Sequence, residues 1–153
     1  ISKIFGSTLI EISCKKSPNE FLVDLNQRNE IVQLVGDSAM LHESGISWID
    51  GLGAWKQPVI LMVRPLPSGE IPGIASAYTS LSKTSSVPLL GLVQLGEPWN
   101  ISQRRQDCLP WCGFIPDECL KKGFIWEDIS CDSSFLIDNL GEVLRKRMYE
   151  FDL

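Results

Sequence analysis

The chain has 153 residues, 44% of them hydrophobic, which is enough for one sizeable core and too little for two ordinary domains, so a single domain over residues 1–153 is expected. A formal charge of −5 excludes a dedicated nucleic-acid binder, whose phosphate contacts need a basic footprint. No apolar run approaches the roughly 18 residues of a membrane span, and Ile1 to Cys14 lacks the basic-then-apolar layout of a signal peptide, so a soluble, cytoplasmic protein without a membrane partner is expected. The chain begins at Ile1 rather than at methionine, and a processed product, a fragment or a trimmed chain is the expectation.

Lys3 to Ser13 alternates apolar and polar residues and is rich in β-branched side chains, which predicts a strand. Ser17-Pro18-Asn19-Glu20 then reads as a capping box with proline at the first helical position, so a helix should follow. Phe21, Leu22 and Leu25 share one face of it. Asn26 and Asn29 are weak helix formers, which leaves a hairpin between Lys3–Ser13 and Phe21–Leu25 as the alternative. Ile31 to Val35 is a short apolar strand ending at Gly36-Asp37-Ser38. From Ser44 or Ser47 a helix carries Trp48, Leu52 and Trp55 as an apolar stripe, weakened by Gly51 and Gly53.

Pro58 ends that helix and opens a strand from Val59 to Val63. Pro65, Pro67 and Pro72 stiffen the next loop, and a helix follows whose predicted buried face is Ile74, Tyr78 and Leu81, with Ala75 and Ala77 permitting close approach. Leu89 to Leu95 is a second uninterrupted apolar run. Two such runs joined by an amphipathic crossover are what a parallel sheet requires, because its strands meet apolar neighbours on both faces. Glu97 to Asp107 reads as loop or partial helix, and Leu109 to Ile115 as a last short strand stopped by Pro116. Ser133 or Ser134 caps a terminal helix with Leu136, Leu140, Val143 and Leu144 on its apolar face and Arg145-Lys146-Arg147 at the negative end of its dipole. The expected fold class is therefore α/β: an open, mostly parallel sheet of about five strands with helices on both faces.

Five cysteines, Cys14, Cys108, Cys112, Cys119 and Cys131, form an odd and irregular set that reads as reduced thiols, and no metal site is expected. The basic clusters Lys15-Lys16, Arg104-Arg105, Lys121-Lys122 and Arg145-Lys146-Arg147 read as solvated surface or helix ends. Trp48 and Trp55 read as core, whereas Trp99, Trp111 and Trp126 lie in loop-rich sequence.

Ligands of an open parallel sheet collect at the carboxyl ends of its strands, which directs attention to the loops 36–45, 64–73, 96–105 and 116–118. The first holds the richest polar cluster: Asp37 to bind a metal or accept a proton, Ser38 as a hydroxyl ligand and His42 as a general base, beside Glu43 and Ser44. The sequence contains neither GxxxxGK[ST] nor GxGxxG, the glycine-rich turns that cradle phosphates. It has no serine nucleophile elbow either.

From about Glu30 onward the chain resembles the C-terminal half of dethiobiotin synthetase, a P-loop family of three-layer, Rossmann-like fold, and in particular its cyanobacterial forms, which also leaves a plastid origin open. The segments that carry the resemblance are IVQLVGDSAM, WIDGLGAWKQPVILMVRP, GIASAYTSLSKTSSVPLLGLV, LPWCGFIP and the terminal helix ending LRKRMYEFDL. The resemblance implies ATP and Mg²⁺ as cofactors and a reaction that carboxylates a diamine and closes a cyclic urea. It also implies an adenine-side site, for which Pro116 with Asp117 or Glu118 is the segment that fits; Gln94 is the other candidate, although strand alternation turns it the opposite way from its neighbour. The sequence departs from the family's pattern where the acidic turn residue aligns with Gly36, leaving Asp37 displaced by one, and where the adenine-reading asparagine falls at Leu95. Without a Walker loop, the positioning of phosphates on which phosphoryl chemistry depends is missing. The expectation is therefore a degenerate, non-catalytic member with no cofactor, acting through a protein partner or as a homo-oligomer. The alternatives are an ATP/Mg²⁺-dependent synthetase lacking its P-loop half and a small-ligand enzyme or binding module built on Asp37 and His42.

Overall fold

The computed structural model describes residues 1–25, 30–121 and 130–151; Asn26, Asn29, Lys122 and Trp126, named above, lie outside them. The fold is α/β, and its five described strands all pair in parallel. They form two ladders, one of two strands and one of three, where the sequence predicted a single sheet. Each ladder belongs to a separate compact unit, one drawn from Ile1–Pro58 and Leu81–Pro88, the other from Val59–Ser80 and Leu89 onward.

In the first unit a short helix α1 (Ser2–Phe5) precedes β1 (Thr8–Ser13), so the predicted strand starts later than its composition indicated. The chain coils first because Phe5 N–H reaches the Ile1 carbonyl at 3.2 Å, and Gly6, at φ 63°, then turns it into β1. Helix α2 (Pro18–Leu25) crosses over to β2 (Glu30–Val35), which pairs with β1 in parallel register from Thr8↔Glu30 to Ser13↔Val35. Parallel pairing needs a crossover connection and excludes the hairpin alternative. One face of this ladder, Ile10, Ile12, Val32 and Leu34, packs with Phe21, Leu22, Leu25, Trp48 and Leu52. The other face leaves Leu9 and Val35 exposed.

Helix α3 (Trp48–Ala54) opens on a capping box in which Ser47 Oγ accepts from Asp50 N–H and the Asp50 carboxylate accepts from Ser47 N–H. Trp48 is buried, and its indole N–H donates to the Lys16 carbonyl at 2.9 Å. Trp55, predicted as core, is 39% exposed. The helix has already ended there, since Gln57 N–H turns back to the Leu52 carbonyl and Lys56 takes φ 52°. The glycines predicted to weaken α3 permit close packing. A Cβ on Gly51 would lie 2.8 Å from Leu22 Cδ1, and one on Gly53 would lie 1.9 Å from the Ser85 carbonyl oxygen.

The second unit holds β3 (Val59–Val63), the start of α4 (Ile74–Thr84), β4 (Leu89–Leu95), α5 (Ile101–Gln106), β5 (Trp111–Ile115), a 3₁₀ turn at Asp117–Leu120 and α6 (Cys131–Glu150). The strand order is β3-β4-β5. Central β4 is buried along nearly its whole length, as its apolar run predicted, and full burial of Leu92 and Val93 contributes about 1.5–3 kcal/mol each. Leu61, Leu92 and Trp111 are register partners and share one face with Val63, which packs with Ala75 of α4. On the opposite face, Gly113 lies against Leu140 of α6.

Two helix faces differ from the expected ones. On α4, Ile74 and Leu81 point outward, at 63% and 36% exposure, and the buried stripe is Ala75 and Ser82 with Tyr78 and Thr79 half-buried between them. Small side chains rather than the larger apolar ones set this contact because they let the helix approach closely. Helix α6 begins earlier than predicted, with Ser130 as its cap and its Oγ accepting from Ser133 N–H at 3.2 Å. Its buried stripe is Ser133, Ile137, Leu140 and Leu144, of which Leu140 and Leu144 were expected, while Leu136 and Val143 flank it half-buried. Among the described residues no helix is long and apolar enough to cross a membrane.

Candidate functional site

The carboxyl ends of the two ladders carry different chemistry. In the first unit Gly36 follows β2 at φ 113°, with its would-be Cβ 3.4 Å from Cys14 Cβ, and Asp37 comes next. Burial pushes the Cys14 thiol above its ordinary range, and the negative charge of Asp37 pushes it further. Asp37 Oδ1 accepts from Ala39 N–H at 2.9 Å, an Asx turn that shapes the loop. The Ser38 carbonyl accepts from Ile49 N–H at 3.1 Å, so this residue tethers the loop to α3 through its backbone. His42 closes its own turn, accepting from Gly45 N–H at 2.8 Å and donating its N–H to the Ile46 carbonyl at 3.2 Å, while its Nε2 is buried without a hydrogen-bond partner. Asp37, Ser38 and His42 thus share one loop, each shaping its backbone. Among the described residues no group of three His, Cys, Asp or Glu side chains is arranged to hold a metal ion.

The second unit gathers more. Gln94, near the end of β4, is fully buried and donates both amide hydrogens, to the Gly96 carbonyl at 2.7 Å and the Pro98 carbonyl at 2.9 Å. Its register partner on β5 is Phe114, so the two side chains leave the same face of the sheet. Leu92 pairs with Trp111 and Val93 with Gly113, which makes Cys112 the extra residue of a bulge. This bulge brings Trp111 and Phe114, three apart in sequence, to the same side. Trp99 fills the corner between them. Its ring stacks on Phe114 at 5.2 Å and 10° and meets Trp111 edge-on at 5.9 Å and 80°.

Arg104 of α5 completes the cluster. It is 3% exposed, lies 5.4 Å from the Trp111 ring centroid, donates Nη2–H to the Gly69 carbonyl at 2.9 Å and pairs through Nε with Asp107 at 3.2 Å. Arg104-Arg105 stand in the last turn of α5, the helix end that was one of the two expectations for them, but Arg104 is a buried tie between loops rather than a solvated charge. Arg147 stands in the last turn of α6, as expected, and is half-buried. Its guanidinium donates to the carbonyls of Leu90, Pro110 and Trp111 at 2.6, 2.8 and 2.9 Å and lies 3.3 Å from Cys112 Sγ.

The segment after β5 acts as a latch. Pro116 is buried, and the Asp117 carboxylate accepts from Glu97 N–H at 3.2 Å, pressed onto Gly96 where a Cβ would stand 2.4 Å from Oδ1. The Glu118 carboxylate accepts from Ser130 Oγ at 2.9 Å. Hydrogen bonds from the hydroxyls of Ser133 and Ser130 hold Glu118 below the ordinary carboxylate range. Gln94, Pro116, Asp117 and Glu118 therefore do lie together at the carboxyl end of this ladder, each engaged within the chain.

No protein-family model matches the chain, and no curated protein and no solved structure matches it.

The sequence showed Arg104 and Arg147 only as members of basic clusters, and the pairing of Trp99 with Phe114 not at all. One signal was available for Arg104, the Asp107 three residues later on a helical turn. Arg147 carried none, because its partners are backbone carbonyls, which every sequence has.

Proposed function

We propose that this chain is a non-catalytic α/β binding module, a degenerate relative of the dethiobiotin-synthetase fold, that acts through a protein partner or a second copy of itself. The observation that carries the reading is Trp99 stacked on Phe114 beside a fully buried Gln94. An adenine-side site needs amide hydrogens free to read a base and an open aromatic or apolar slot. Here both Gln94 amide hydrogens serve backbone carbonyls, Asp117 serves Glu97, and the slot is filled by the chain's own indole. These residues do not fit a nucleotide, and no ATP- or Mg²⁺-dependent step is derived from them. Exposed Phe135 and Tyr149 on α6, at 66% and 77%, offer apolar contact to a partner.

Calorimetric titration with ATP·Mg²⁺ tests the first half of this reading; heat consistent with a micromolar constant would overturn it in favour of a synthetase. Light scattering after size exclusion, with a Phe135→Ser/Tyr149→Ser control, tests the second. A self-associating protein whose mass falls in the control supports the reading. A strict monomer that recovers no partner in a pull-down argues against it.

A further inference from the structure

Ser133, Ile137, Leu140 and Leu144 turn one side of α6 inward. On the side away from that stripe, Phe135, Glu142 and Tyr149 follow one another at intervals of seven residues, about two helical turns, so they stand in one line along the helix. All three are exposed. Asp138 and Arg145, also exposed and also seven residues apart, run along one flank of the line. The face is thus arranged evenly about Glu142, with an aromatic ring toward each end and, on the flank, a carboxylate on one side of it and a guanidinium on the other.

We propose that this face is the seat of a symmetric dimer, in which α6 packs against α6 of a second copy running antiparallel, with Glu142 at the two-fold axis. The inference rests on the proposed binding role and names its occupant. About that axis Phe135 meets the partner's Tyr149 and Asp138 meets the partner's Arg145, and each contact occurs twice. Charge selects this direction. A two-fold axis across antiparallel helices keeps each flank on its own side, so the acidic end of the flank faces the basic end. A parallel pairing would instead bring the two basic ends, Arg145 and Lys146, together, which sets like charges against each other. A second copy suits the face better than an unrelated protein because one helix supplies both halves of every contact. The aromatic pair at each end supplies apolar area. Two helices about 30 Å long bury less than a standard interface, so the dimer is weak and depends on concentration. The two Glu142 carboxylates, brought together on the axis, weaken it further.

Sedimentation equilibrium on a concentration series up to about 1 mM tests this in wild type, Asp138→Arg, Arg145→Asp, the double variant Asp138→Arg/Arg145→Asp and Glu142→Gln, with circular dichroism to show that each is folded. Wild type should show a monomer–dimer equilibrium. Each single charge reversal should weaken it about tenfold, and the double variant should return to within about threefold of wild type, because the swap restores opposite charges across the axis. Glu142→Gln should tighten the dimer about threefold. This last variant barely changes the side-chain volume and decides the matter if a reversed charge fails to fold: a dimer it does not tighten has no axis at Glu142. A dimer indifferent to both single reversals, or a double variant as weak as either single one, would overturn the antiparallel pairing while self-association stands. A wild-type monomer at every concentration would overturn the dimer itself, and the binding role would then rest on recovery of a different protein partner.

Discussion

Arg147, in the last turn of α6, donates to the carbonyl of Leu90, the extra residue where Val59↔Leu89 gives way to Ile60↔Gly91 in the β3–β4 ladder. The same guanidinium meets the carbonyls of Pro110 and Trp111 and lies beside Cys112, the extra residue of the β4–β5 ladder. A bulge leaves backbone groups without ladder partners, and one planar fork satisfies carbonyls beside both irregularities. Gly91 lies beneath it at φ 143°, where a Cβ would collide with the guanidinium.

Arg147→Met should therefore lower the stability of the chain by about 1–3 kcal/mol, the cost of taking a donor from the part-buried Leu90 and Trp111 carbonyls, while the Pro110 carbonyl keeps the Leu92 N–H. Arg147→Lys should recover less than half of it, because an ammonium cannot serve three carbonyls in a fork. Urea unfolding followed by circular dichroism checks both; a lysine variant as stable as wild type would contradict this account.

The two glycines of α3 should respond unequally to alanine. Alanine gains about 1 kcal/mol of helix propensity at either position. At Gly53 the new Cβ meets the backbone oxygen of Ser85 at 1.9 Å, so Gly53→Ala should destabilise by more than about 2 kcal/mol. At Gly51 the neighbour at 2.8 Å is the tip of the Leu22 side chain, which can rotate away, so Gly51→Ala should be near neutral. Paired thermal melts measure the difference.

Ser47→Ala should cost about 1 kcal/mol through loss of the α3 cap. Its pH dependence should change too. The Ser47 hydroxyl first, then the Ser47 backbone N–H, hold the Asp50 carboxyl below its ordinary 3.8. A carboxyl depressed on folding adds stability above its unfolded pKa, and that contribution is lost as pH falls through the folded value. The destabilisation by Ser47→Ala should thus be present at pH 6 and shrink below pH 3.8, which unfolding titrations at several pH values will show. Because Asp50 is exposed, the pH-dependent part should be small.

Thiol labelling should follow exposure. Cys108 is exposed, whereas Cys14 is buried, with its thiol raised by burial and by Asp37. Burial also raises Cys112 and Cys119. Near pH 7.5 a maleimide should modify Cys108 first and Cys14 last among these four, as read by peptide mass spectrometry. Early labelling of Cys14 would mean that the end of the first ladder opens readily.

Much of the fold was legible because its signals are local. The unbroken runs of β3 and β4, Pro18 at the start of α2 and Ser47 at the start of α3 each act within a few residues, and all four elements lie where the sequence placed them. Of the candidate residues, the sequence shows only that Gln94 lies near the end of β4 and Pro116, Asp117 and Glu118 just after β5; their engagement with Gly96, Pro98, Glu97 and Ser130 depends on how far the chain folds back after β4 and β5.

By itself the sequence determined the parallel strand–helix–strand unit of β3, α4 and β4, through apolar runs too continuous for a one-sided sheet, whereas at the first two strands it left a hairpin open. Only the tertiary structure decided that the strands form two ladders, that Ala75 and Ser82 rather than Ile74 and Leu81 are buried on α4, and that buried Arg104 and half-buried Arg147 tie backbone carbonyls together. The physical reason is common to all three. Each rests on long-range contacts with backbone atoms or small side chains, and neither leaves a periodic mark in the sequence.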